Sequence, residues 1–247
     1  MPRASRYFCQ GLVWHITHRC HERSFLLRFR KDRRRWRHWL FEARRRYGFS
    51  VLNYIATSNH VHLLVFDNGN GEIFKSMQLA AGRTAQEYNQ RKRRKGAFWD
   101  DRYHATAVEA NSHLMRCMTY IDLNMVRAGA VNHPYEWDIS GYAEIQTPWK
   151  RKAVIDYARL CSLLNAPSVE CLAATLRSAA ESQLQLSVRQ PAWTETIGVG
   201  SEHFVSELKR AIGPAAMHRK LTASENLLSL NDEFPAYLPK TGVKSAN

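Results

Sequence analysis

Ser58-Asn59-His60-Val61-His62-Leu63-Leu64-Val65-Phe66 is the stretch from which this 247-residue chain is read. The polar pair Ser58-Asn59 has turn chemistry, and the apolar run after it is strand-forming, so it reads as the second arm of a hairpin whose first arm is residues 50–57. Along a strand, residues two apart point the same way and sit about 6.6 Å from each other. His60 and His62 therefore share a face and could converge on one metal ion. A His-x-His pair arises often by chance, so the reading needs other residues to answer it.

Outward from the hairpin, elements alternate. Residues 11–20 are rich in β-branched and aromatic types and predict a first strand. Residues 32–47 predict a helix, with Trp36, Trp39, Leu40, Ala43 and Tyr47 at helical spacing and Gly48 as the stop. After the hairpin, residues 72–94 give a second helix, with Phe74, Met77, Ala81, Thr84 and Tyr88 along one stripe. Residues 98–108 give a fourth strand and 111–128 a third helix with a core stripe of Leu114, Cys117, Met118, Ile121 and Met125. That order predicts an α+β fold: a small, mainly antiparallel sheet with helices packed on it. A polar, basic stretch around 147–152 marks a boundary, giving a domain at 1–148 and a helical extension at 149–247. Its helices are expected near 152–164, 168–185 and 201–211, either covering the sheet, the favoured reading, or adding DNA contacts, with a loose tail over the last dozen residues.

Composition narrows the partners. The formal net charge is +14, and residues 1–48 carry fourteen Arg or Lys against three acids. Such a field favours a polyanion, most often nucleic acid. No apolar run approaches the roughly 18 residues of a membrane span, and no signal-type apolar core follows the basic N-terminus, so no membrane partner and a cytoplasmic, nucleoid-associated location are expected. Five scattered cysteines contain no Cys-x-x-Cys pair, which argues for packing residues rather than a disulfide framework. The run Arg91-Lys92-Arg93-Arg94-Lys95 reads either as a solvated loop or as a phosphate contact.

The residues that answer the histidines lie on the third helix. Arg116, Tyr120, Asn124 and Arg127 recur at spacings of four, four and three, which sets them on one polar flank beside the apolar stripe. Tyr120 and Asn124 are one turn apart, roughly 6 Å along the axis. Together with the paired imidazoles they offer a third metal ligand and a nucleophile.

These residues carry a resemblance. The histidine pair after Ser58-Asn59, Phe98-Trp99 with Arg102-Tyr103, the stretch Tyr120-Ile121-Asp122-Leu123-Asn124-Met125-Val126-Arg127-Ala128-Gly129 and the later Val199-Gly200-Ser201-Glu202-His203-Phe204 resemble the REP-associated tyrosine transposases, IS200-like members of the HUH superfamily of single-strand DNA transposases. The likeness spans about residues 6–142, and more weakly 195–211. It departs at Met125, where many relatives have proline, so the helix is expected to run straight past the site. It departs again at Trp99-Asp100-Asp101, against the more usual Trp-Glu-Gly.

The resemblance implies a ferredoxin- or RRM-like HUH fold, His60, His62 and Asn124 as ligands of Mg²⁺ or Mn²⁺, and Tyr120 as the nucleophile. Its substrate would be single-stranded DNA with hairpins, cut and rejoined through a 5′-phosphotyrosine. Arg19, the run 91–95, Arg102 and Arg127 would track the DNA backbone, and Tyr103, taken as exposed, would stack on unpaired bases. Two imidazoles and an amide oxygen leave positions open for water and phosphate, as an octahedral ion requires. Assembly stays open between a monomer and a homodimer. Two alternatives remain: a replication-initiator or relaxase-like nickase, and a hairpin-DNA binder without catalysis.

Overall fold

A computed structural model describes residues 8–110, 112–148, 151–184, 190–216, 219, 221–224 and 227–231. The expected hairpin is present: β2 (Ser50–Ala56) and β3 (His60–Phe66) run antiparallel, and the Thr57 N–H donates to the His60 carbonyl across the Ser58-Asn59 turn. The other side of β3 pairs with β1 (Val13–Arg19), and β1 pairs with β4 (His104–Val108), both antiparallel. Helix α1 (Arg30–Tyr47) ends where Gly48 takes a left-handed φ of 68° and its N–H reaches the Arg44 carbonyl. Helix α2 (Glu72–Lys92) ends at Arg93, also left-handed. The strand order β2-β3-β1-β4 with two crossover helices is the split βαβ arrangement, as expected from the sequence. On one face, Trp36 and Leu40 of α1 join Ile16, Tyr54, Leu63 and Val65 in the buried core.

Four expectations change. Strand β4 begins at His104 rather than Phe98, because Trp99 folds back to bridge Cys20 and stacks on His18 at 4.3 Å between ring centroids. That fold draws Tyr103 inward: it is 7% exposed, packed near His18 and Phe8, and is not the surface aromatic expected for stacking on bases.

The third helix does not run straight. It divides into α3 (Ser112–Asp122) and α4 (Asn124–Arg127) at Leu123, whose ψ of 5° lies outside the helical range. No proline is needed for the bend. Leu123 is drawn into a small cluster with Tyr142 of α5 (Gly141–Gln146) and Ala180, and the Arg127 guanidinium donates to the Tyr120 carbonyl.

The C-terminal part is not purely helical. Helices α6 (Tyr157–Leu163), α7 (Val169–Gln183) and α9 (Glu202–Ile212) match the expected ones. Between and beyond them lie α8 (Ala192–Glu195) and three strands, β5 (Thr196–Gly200), β6 (Leu221–Ser224) and β7 (Leu227–Asn231). Strand β5 pairs in parallel with β4, so one sheet runs β2-β3-β1-β4-β5-β7-β6. The glycines in β5 hide it from a propensity reading, yet Gly198 is required by packing: a Cβ there would stand 2.2 Å from Leu208 Cδ2 of α9. The expected loose tail, and Trp149-Lys150 of the expected boundary, lie outside the described residues. Cys20 and Cys117 are buried packing thiols, whereas Cys171 is exposed. Among the described residues no helix is long and apolar enough to cross a membrane.

Candidate active site

The face of the sheet turned away from α1 and α2 carries polar residues. Register sets Thr17 opposite both His62 and His104, His15 opposite Thr106, and Arg19 opposite His60. Directly opposed residues share a face, so these side chains form one band across β3, β1 and β4. His15, Thr17, His62, His104 and Thr106 are all buried. Buried polar atoms need partners, and here the partners fix where each proton sits.

The chain of protons starts at a main-chain carbonyl. His15 Nδ1 lies 2.7 Å from the Trp193 carbonyl, which can only accept, so that nitrogen carries the proton. His15 Nε2 is then the acceptor, and His62 Nδ1, 2.9 Å away, donates to it. His62 is left with a lone pair on Nε2. Its other neighbour at Nδ1 is the Thr17 hydroxyl at 3.2 Å.

A second chain orders His60. The Asn59 amide nitrogen donates to the Arg23 carbonyl at 3.1 Å, which turns its oxygen to accept from His60 Nδ1 at 2.7 Å. His60 likewise keeps its lone pair on Nε2. The two rings stand 4.8 Å apart, nearly perpendicular. Both stay neutral well into acid. Burial, with Arg19 and Arg127 nearby, pulls His60 down to about 3, and burial with His60, His15, Arg19 and Arg127 holds His62 well below its ordinary value. His15 is lowered to about 4, chiefly by burial.

Helix α3 brings its polar flank to this face. The Tyr120 ring lies 6.2 Å from His62 and 6.3 Å from His15, edge to face with both, and Arg127 Cζ lies 4.2 Å over it. The Asn124 amide nitrogen donates to His62 Nε2 at 3.1 Å. The bend at Leu123 separates Tyr120 from Asn124, so tyrosine and amide address the same imidazole from two short helices. Trp193 of α8, fully buried, packs with its ring centroid 6.5 Å from that of Tyr120. Beneath them, Asp122 accepts from Asn53 at 2.9 Å, and burial pushes its carboxyl up to about 7.

The expected metal set is thus brought together with the tyrosine, and its donors suit a divalent ion: two neutral imidazoles with Nε2 lone pairs and an amide that can turn its oxygen. Among the described residues no group of three His, Cys, Asp or Glu could hold a metal, and the Asn124 amide is the side chain that meets His62 Nε2. The expected DNA-contacting cations are more dispersed. Arg91 pairs with Asp32, and Arg94 donates to Asn89 and to the carbonyls of Gly96 and Ala97. Lys92, Arg93, Lys95 and Arg102 are exposed, while Arg19 and Arg127 are half-buried beside the histidines. His15 was not expected, although its alternation with Thr17 along β1 repeats that of His60 with His62. Trp193 carried no signal, since its bond to His15 is made by the backbone carbonyl rather than the side chain.

The sequence model of the IS200-like transposases matches residues 9–124, a span that holds β1 to α3, both histidines, Tyr120 and Asn124. Over this segment the chain is similar to the IS200-like transposases. The fold of the chain is similar to that of a REP-associated tyrosine transposase solved bound to a REP hairpin: 19% identity, 60% of this chain and 87% of that one, TM-score 0.51. A second structure, a candidate transposase from Deinococcus radiodurans R1, aligns at 14% identity over 52% of this chain and 92% of that one, with TM-score 0.35. The sequence finds no match among curated proteins.

Proposed function

We propose that this protein cuts and rejoins single-stranded DNA at palindromic hairpins, forming a 5′-phosphotyrosine on Tyr120. The observation that carries this reading is the meeting of Tyr120, Asn124 and His62 on one buried face, with the protons of the flanking imidazoles fixed by their partners. His60, His62 and Asn124 would hold Mg²⁺ or Mn²⁺, which when bound would offset the charge of the scissile phosphate. The Asn59 and His15 bonds hold each ring so that Nε2 is presented, the usual task of partners behind metal ligands.

In the step itself the Tyr120 oxygen attacks phosphorus, an O–P bond forms, and the bond from phosphorus to the DNA 3′ oxygen breaks. The phenol loses its proton and the departing 3′ oxygen gains one. Arg127 against the ring favours the phenolate that develops during attack. Because a phenol, with a pKa of about 10, leaves readily, the adduct can be reversed by another 3′-hydroxyl without an external energy source. The similar fold solved on a REP hairpin supports a hairpin substrate, and the exposed cations Arg93, Lys95 and Arg102 suit a phosphate backbone.

The test is incubation with labelled single-stranded hairpin DNA and Mn²⁺ or Mg²⁺, followed by denaturing electrophoresis. An SDS-resistant adduct is expected for wild type and none for Tyr120→Phe. A Tyr120→Phe protein that still forms the adduct would overturn the reading.

A further inference from the structure

The segment between β1 and α1, residues 20–29, buries Cys20 and Leu27 in the core but leaves two aromatic rings in solvent. Phe25 and Phe29 lie 66% and 53% exposed, two large aromatic side chains within five residues. Glu22 and Arg23 both take left-handed φ, 52° and 56°, a conformation that residues with a Cβ avoid. The segment is nevertheless firmly held. Leu27 N–H donates to the Ser58 carbonyl, and the buried Arg33 guanidinium donates to the carbonyls of Leu27 and Arg28. Asn59 donates to the Arg23 carbonyl with the same side chain that orients His60. Consecutive strained residues in a well-anchored loop, beside a reactive centre, are a common mark of a ligand clamp.

The surroundings say which ligand. Arg23, Arg28 and Lys31, in or next to the segment, are exposed, and Lys92 Nζ lies 5.6 Å from the Phe29 centroid. Aromatic faces interleaved with cations suit unpaired nucleotides, since every base has a face to stack and every linkage a charge to meet. A duplex would offer its phosphates to the cations but no free base to the rings.

We infer that Phe25 and Phe29 form a stacking platform for unpaired bases of the DNA strand entering the His60/His62 site. This rests on the proposed function for its bearing on cleavage, but binding can be read without cleavage. Asn59 joins platform to centre: one amide touches the loop backbone and one candidate ligand.

The experiment measures binding by fluorescence anisotropy, without divalent metal and in a Tyr120→Phe background, using a fifteen-nucleotide oligothymidylate and a fifteen-base-pair duplex as probes. Phe25→Ala with Phe29→Ala is expected to weaken oligothymidylate binding about tenfold or more while duplex binding stays within about twofold. Phe25→Tyr with Phe29→Tyr, which keeps both faces, should restore it. Both residues are exposed, and an unchanged melting curve would confirm that the alanine variants fold. Oligothymidylate binding unchanged by the alanine pair, equal loss on both probes, or no wild-type binding to oligothymidylate would each overturn the platform. Adduct formation by wild type reports separately on Tyr120, so selective oligothymidylate binding with no adduct would sink the catalytic reading and leave the platform standing.

Discussion

At the scale of single residues, the site is governed by where protons rest. His15 is not itself an expected ligand, yet its Nε2 holds the His62 proton at Nδ1. Replacing it by alanine should lower Mn²⁺ affinity about 10- to 100-fold, read by electron paramagnetic resonance titration, while leaving Tyr120 in place. Acid should destabilise the fold through the same rings. Native His15 and His60, at about 4 and about 3, refuse protons that unfolded imidazoles accept below about 6.5, so unfolding free energy falls as pH drops through that window. Asp122 acts with the opposite sign, because its native carboxyl, near 7, takes up a proton before the unfolded one at about 4. Three buried imidazoles against one carboxyl leave a net loss. The urea midpoint at pH 5 should lie below that at pH 7, and His15→Gln with His62→Gln should flatten the difference.

At the scale of elements, the bend at Leu123 makes a sharp prediction. Met125 is the second residue of α4, just past the bend, where a missing N–H is tolerated. Met125→Pro should therefore cost no more than about 1 kcal/mol in thermal unfolding, against the roughly 3 kcal/mol of a proline inside a continuous helix. Elements set by local chemistry were legible in the sequence: the Ser58-Asn59 turn, the α1 stripe with its Gly48 stop, and the shared face of His60 and His62. What escaped depends on contacts between distant residues. Tyr103 is buried because Trp99 returns to His18, and β5 is a strand because Gly198 makes room for Leu208. The bend itself is made by Tyr142, Ala180 and Arg127, none of which a helical stripe can report.

At the scale of the whole molecule, the continuous sheet ties the IS200-like segment to the strands after it. With β5 hydrogen-bonded to β4 and Trp193 sealed in the core, unfolding should be a single cooperative transition. Near- and far-ultraviolet circular dichroism should give coincident melting curves; two separated transitions would show the late strands to be independent. The bond from His15 to Trp193 spans 178 residues of chain and ends on a backbone oxygen. Genetic drift at position 193 can alter the ring but cannot delete that oxygen. An alanine scan would pass over it unseen, and only an amide-to-ester exchange in the main chain, or displacement of the whole segment, would reveal how much the histidine-bearing face owes to it.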